Sequence, residues 1–110
     1  MMNVLNILLV EDNPGDIRLL QEILREVRTT QCQITPVMTL AAAIAQFSRA
    51  TDHTPYFDII LLDLSLPDSQ GIASVQDLRD RSNNTPIVVL TGLDDQELAI
   101  SAINYYQLVL

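Results

Sequence analysis

The 110-residue chain contains no lysine, and its six basic residues, Arg18, Arg25, Arg28, Arg49, Arg79 and Arg81, face fourteen acidic ones. The net charge of −8 argues against direct binding of nucleic acid or of an anionic membrane surface. A single cysteine, Cys32, excludes an internal disulfide and suits a cytoplasmic setting; it reads as a small apolar side chain near a strand. No apolar run approaches the roughly 20 residues that a membrane-spanning helix needs. The opening MMNVLNILLV lacks a basic leader and a small-residue cleavage site, so it reads as a first strand rather than a signal peptide. Neither a GxGxxG run nor a Walker-type loop occurs, which leaves nucleotide binding without support. The one histidine, His53, lies in a polar connection and reads as solvated.

Hydrophobic residues make up 48% of the chain, which excludes disorder, and the length suits one domain over residues 1–110. An Ile/Leu/Val run predicts a strand over 4–10, buried on both faces. Asn13 as cap and Pro14 at the first helical position then open a helix, with Ile17, Leu20, Ile23, Leu24 and Val27 at helical spacing. Residues 33–38 predict a weaker strand, placed at a sheet edge because Pro36 cannot donate to a ladder. Thr39 caps a second helix over 40–49, and residues 57–62 form the third strand. A helix over 71–81 with Ile72, Val75 and Leu78 inward, a buried strand over 87–90 and a helix from 94 to about 104 complete the series. Strand and helix alternate four times with short connections, which predicts an α/β architecture: a doubly wound parallel sheet with helices on both faces.

Open sheets of that kind gather functional groups at the carboxyl ends of their strands. Glu11 and Asp12 follow the first strand, Asp63 ends the third, and Thr91 and Gly92 follow the fourth. The stretch IILLDLSLPDSQG runs four apolar residues straight into Asp63 and then into a Pro/Asp/Ser/Gly turn. Three carboxylates in one crevice repel, and the pKa of at least one should rise. A hard divalent cation resolves the conflict, and magnesium commonly takes one or two protein carboxylates together with water and phosphate oxygens. The plainer reading makes Glu11 and Asp12 helix-start acids, Asp63 a turn former and Thr91 an ordinary strand-end residue. Asp68, Asp94 and Asp95 read as turn and cap residues, and Arg79 and Arg81 as a solvated helix end.

Three blocks, ILLVEDNPGDIRLLQEIL, DIILLDLSLPDSQG and PIVVLTG, occur in the order and spacing that resemble receiver domains of two-component response regulators, over residues 3 to about 103. The resemblance implies a flavodoxin-like sheet in the order 2-1-3-4-5, of which this chain would hold 2-1-3-4, with the fifth strand and last helix missing. It implies that Asp63 is the phospho-acceptor and that Glu11 and Asp12 hold Mg²⁺, Asp12 directly and Glu11 largely through water. Ser65 would offer its backbone carbonyl to the metal. Thr91 would be the hydroxyl that bonds the phosphoryl group, and Gly92 the small residue that leaves room for it. The implied donor is a histidine kinase or a phosphotransfer protein. The haloacid-dehalogenase-like phosphotransferases also place an acid after a strand, but they want a second Asp two residues on, where this chain has Ser65.

The chain departs from the receiver pattern in its last residues. The family's fifth strand carries a lysine, expected a few residues past position 110, whereas residues 104–110 read NYYQLVL. The chain is therefore expected to be truncated, with phosphorylation impaired by the missing lysine. Residues 105–110 are expected to extend the fourth helix, with a strand as the alternative. The strand over 87–90 would then be a bare edge, which predicts a homodimer or a swapped oligomer. A second class of function follows from the same departure: a phosphorylation-impaired interaction module acting by oligomerisation or partner binding.

Overall fold

The apolar N-terminal run becomes an interior strand. The computed structural model of the protein describes residues 3–27, 30–47, 57–90 and 95–109. In it, β1 (Asn3–Val10) lies between β2 (Thr30–Val37) and β3 (Ile59–Asp63), and β4 (Ile87–Leu90) pairs with the far side of β3. All three pairings are parallel, as the strand and helix alternation implied, and the flavodoxin-like order β2-β1-β3-β4 is the one that the resemblance to receiver domains implied. Val10 sits opposite Leu62 and Asp63 opposite Leu90, so the residues that follow these strands emerge at one end of the sheet.

Both faces of the central strands are covered, which is why they read as continuous apolar runs rather than alternating ones. Successive side chains still point to opposite faces. Leu5, Ile7 and Leu9 pack with Ile59 and Leu61 beneath α1 (Pro14–Arg25) and α4 (Asp95–Val109), through Leu20, Leu24, Ala99 and Ile103. Leu8 and Val10 pack with Ile60 and Leu62 on the other face, beneath α2 (Leu40–Ala45) and α3 (Ile72–Arg81), through Leu40, Ala43 and Leu78.

The helix starts follow the chemistry legible in the sequence. The Asn13 side chain accepts the Asp16 N–H at 3.1 Å with Pro14 opening α1, and Thr39 Oγ1 accepts the Ala42 N–H at 3.0 Å. Gly71 precedes α3 at φ 64°, a conformation that a side chain would strain. At the other end of α3, Asn83 and Asn84 adopt φ 58° and 66°, and the Asn84 N–H closes on the Arg79 carbonyl at 2.9 Å.

Several boundaries and faces differ from expectation. β2 begins at Thr30 because its pairing with β1 extends back to Asn3; a partner backbone, not local hydrophobicity, sets that start. The edge position expected from Pro36 is the one observed. Regular α2 ends at Ala45, where the Gln46 and Phe47 amides turn back to the Ala43 and Ile44 carbonyls and tighten the last turn. Ile72, the first residue of α3, does not face inward: it is 69% exposed, and Leu78, in the last turn of the helix, fills the core instead. β4 is less buried than expected, with Ile87, Val88 and Val89 half-buried; among the described residues no strand lies along its outer side. α4 continues to Val109, so residues 105–109 are helical and the strand alternative does not form. His53 and Asp94 lie outside the described residues. Among the described residues, no helix is long and apolar enough to cross a membrane.

Candidate metal centre

Two strand ends deliver three acids to one place. Glu11, Asp12 and Asp63 each offer a carboxylate oxygen, and these oxygens lie within 4.8 Å of one another. Glu11 and Asp63 are buried and Asp12 is half-buried. β1 and β3 are adjacent and in register, so the residues one step beyond Val10 and Leu62 meet, although they stand some fifty positions apart in the chain.

Hydrogen bonds from nearby residues hold Glu11 and Asp63 in place. The Glu11 N–H adds one more rung to the sheet by donating to the Val37 carbonyl at 3.0 Å, and Glu11 Oε1 accepts the Asn13 N–H at 3.1 Å. Asp63 Oδ1 accepts both the Ser65 N–H at 2.9 Å and the Ser65 hydroxyl at 2.7 Å. That double bond is an Asx-type turn, and it bends the chain away from β3 directly after the acid. Leu66 anchors the turn in the core and the Ser69 N–H closes on its carbonyl at 3.0 Å. The turn then passes into α3, where the Gln70 N–H donates to Ser74 Oγ at 2.6 Å and the Gly71 N–H to Ser69 Oγ at 3.3 Å.

Charge without compensation has the expected electrostatic result. Burial pushes the Glu11 carboxyl up from 4.5 to about 7, the negative charge of Asp63 adds to the rise, and the bond from the Asn13 N–H opposes it. The sequence predicts one such acid in the cluster; the fold makes it Glu11, the most buried of the three. Among the described residues the ion pairs are Arg18 with Glu22 and Arg81 with Asp77, both along exposed helix surfaces and away from these acids. Three convergent, oxygen-only donors, one of them with its pKa raised by burial and by a neighbouring carboxylate, fit a hard divalent cation such as Mg²⁺.

Ser65 stands beside Asp63 and directs its amide and hydroxyl to the carboxylate, bonds that the sequence reading did not foresee. Thr91 and Gly92 lie outside the described residues. Asp68 does more than form a turn: its two carboxylate oxygens accept the Leu40 N–H at 2.9 Å and the Ala41 N–H at 3.0 Å, joining the turn after β3 to the start of α2. Nothing in local sequence signals a contact spanning 28 residues. At the opposite end of the sheet, Asp58 Oδ2 accepts the Asn6 N–H at 2.7 Å and ties the approach to β3 onto β1.

Residues 7–106 match the family model described as response regulator receiver domain. The glycerol metabolism activator of Pseudomonas putida is 29% identical over 99 residues, covering 90% of this chain and 42% of that protein. The swarming motility regulation protein RssB of Serratia marcescens is 32% identical over 100 residues, covering 91% of this chain and 42% of that protein. Response regulator Rcp1 of Synechocystis sp. is 33% identical over 99 residues, covering 87% of this chain and 67% of that protein. The chain thus spans well under half the length of the first two relatives. Among solved structures, the MaeR response regulator bound to beryllium trifluoride is similar at a TM-score of 0.63 and 27% identity, over 90% of this chain and 76% of that one. The Mn²⁺-bound form of response regulator Rcp1 is similar at a TM-score of 0.64 and 29% identity, over 87% of this chain and 73% of that one.

Proposed function

Since the chain belongs to the response regulator receiver domain family, a family of two-component signalling, we propose that it accepts a phosphoryl group on Asp63 from a phosphohistidine, with Mg²⁺ bound. The observation that carries this reading is the convergence of Glu11, Asp12 and Asp63 within 4.8 Å from separate strands. The Mn²⁺-bound Rcp1 and beryllium trifluoride-bound MaeR neighbours support it.

Ser65 occupies Asp63 Oδ1 with two hydrogen bonds, so Oδ2 is the attacking atom. The Oδ2–P bond forms as the P–N bond of the phosphohistidine breaks, and the departing imidazole nitrogen keeps the electron pair. The product is an acyl phosphate on Asp63, which water later hydrolyses back to the carboxylate. Glu11 and Asp12 would hold the ion with Asp63 and the Ser65 backbone carbonyl, and the ion supplies neutralisation of charge on the transferred group. Thr91 would donate its hydroxyl to a phosphoryl oxygen, and Gly92 would leave room for that group. The chain mainly positions and stabilises.

The donor is a histidine kinase or a phosphotransfer protein, encountered in the cytoplasm. A second copy of the chain, pairing along the outer edge of β4, is the other partner.

Incubation with a small phosphodonor and Mg²⁺ tests the assignment. The expected result is divalent-dependent labelling that disappears in Asp63→Asn. Undiminished labelling of that variant would overturn the assignment of Asp63.

A further inference from the structure

We propose that Asp68 is a positioning residue for the metal centre, a latch that holds the turn after β3 against α2 and thereby sets where Ser65 sits beside Asp63. The proposal rests on the reading of Asp63 and its neighbours as a metal-assisted acceptor site. Its structural part stands on contacts alone.

The first free amides of α2 are shared between two residues. Thr39 supplies an oxygen to Ala42, from within its own segment, as an ordinary cap does. Leu40 and Ala41 are served only from outside, by the two oxygens of Asp68 at 2.9 and 3.0 Å. These two amides hold the Asp68 carboxyl below its ordinary range. A helix therefore receives part of its cap from a loop, and the loop in turn receives a fixed point from the helix.

That fixed point closes a ring around the acids. Glu11 is held by the Val37 carbonyl at the end of β2, and two residues later Thr39 and Leu40 open α2. From Leu40 the connection passes to Asp68, then back along the turn through buried Leu66 to Ser65 and Asp63. Leu66 and Leu40 also belong to the same core cluster. Ser65 is exposed, and its place at the acids is set by the short turn between the Asp63 bond and the Asp68 latch. Release of Asp68 leaves that turn tethered at the strand, at Leu66 and at α3, and free to shift where it would meet the ion. A partner that orients a ligating group in this way commonly accounts for about 10- to 100-fold in metal affinity.

The test compares Asp68→Ala with Thr39→Ala, which removes a cap from the same helix without touching the turn. Mn²⁺ binding to the full chain is titrated by electron paramagnetic resonance, and exchange of the Ser65 amide is followed by NMR. Asp68→Ala is expected to weaken Mn²⁺ binding about tenfold and to speed Ser65 exchange. Thr39→Ala is expected to lower the thermal midpoint while leaving Mn²⁺ affinity and Ser65 exchange unchanged. Asp68→Asn keeps one acceptor oxygen and should recover part of both readouts; it carries the comparison if Asp68→Ala does not fold. Equal Mn²⁺ affinity in Asp68→Ala and the parent chain, or equal weakening in Thr39→Ala, would overturn the latch. If the parent chain binds no Mn²⁺, the metal reading fails, and Ser65 exchange decides the latch by itself: unchanged exchange in Asp68→Ala refutes it.

Discussion

Glu11 shows how a single residue turns burial into a measurable property. Its folded pKa of about 7 stands above the ordinary 4.5, so between those values the folded state binds more protons than the unfolded state. Stability from this group is fully present below about pH 4.5 and is lost as pH rises towards 7. The thermal midpoint of the divalent-free protein is therefore expected to fall across that window. Glu11→Gln, which cannot ionise, should flatten the fall, and so should saturating Mg²⁺, which replaces the proton as counter-charge. A midpoint that rises between pH 5 and 7 without divalent ions would contradict the burial of this acid. The pairing of Glu11 with Asp63 was legible from the strand ends once a parallel sheet was inferred. That the proton would settle on Glu11 was not, because it depends on which acid the neighbouring backbone covers most.

At the scale of the element, α3 separates what periodicity can and cannot say. Ile72, Val75 and Leu78 share helical spacing, yet Leu78 is fully buried and Ile72 is 69% exposed. Periodicity defines a stripe, and only the length of sheet beneath the helix decides how much of the stripe is covered. Leu78→Ala is accordingly expected to cost about 2–5 kcal/mol, as other buried leucine truncations do. Ile72→Ala should stay within about 0.5 kcal/mol. Urea unfolding of the two variants checks the pair, and comparable losses would show that Ile72 is covered in solution. β2 gives the opposite lesson. Pro36 placed it at an edge correctly from one residue's missing amide, while its start at Thr30 came from pairing with Asn3, which local composition does not report.

For the whole molecule, the open side of β4 and the charge of −8 act against each other. β4 is a half-buried apolar strand with, among the described residues, no strand on its outer side, and such an edge favours pairing with a second copy. Two copies of the same anionic chain repel, and salt screens that repulsion. Light scattering at micromolar concentration is expected to give a dimer mass, with the dimer fraction increasing from low to high salt. A monomer at every ionic strength would remove the β4 edge as a self-association surface.

Apolar runs too short for a membrane and too continuous for a one-sided sheet determined the alternation of strands and helices. With short connections between them, they pointed to a parallel sheet, while the order of its strands came from the resemblance to receiver domains. Local chemistry at Asn13, Pro14, Thr39 and Pro36 determined caps and an edge, because each acts on a backbone group within a few residues of itself. Tertiary structure alone decided the exposure of Ile72, the raised pKa of Glu11 and the reach of Asp68 to Leu40 and Ala41. Those three depend on which distant surfaces come to lie against a residue, and spacing along the chain carries no record of that.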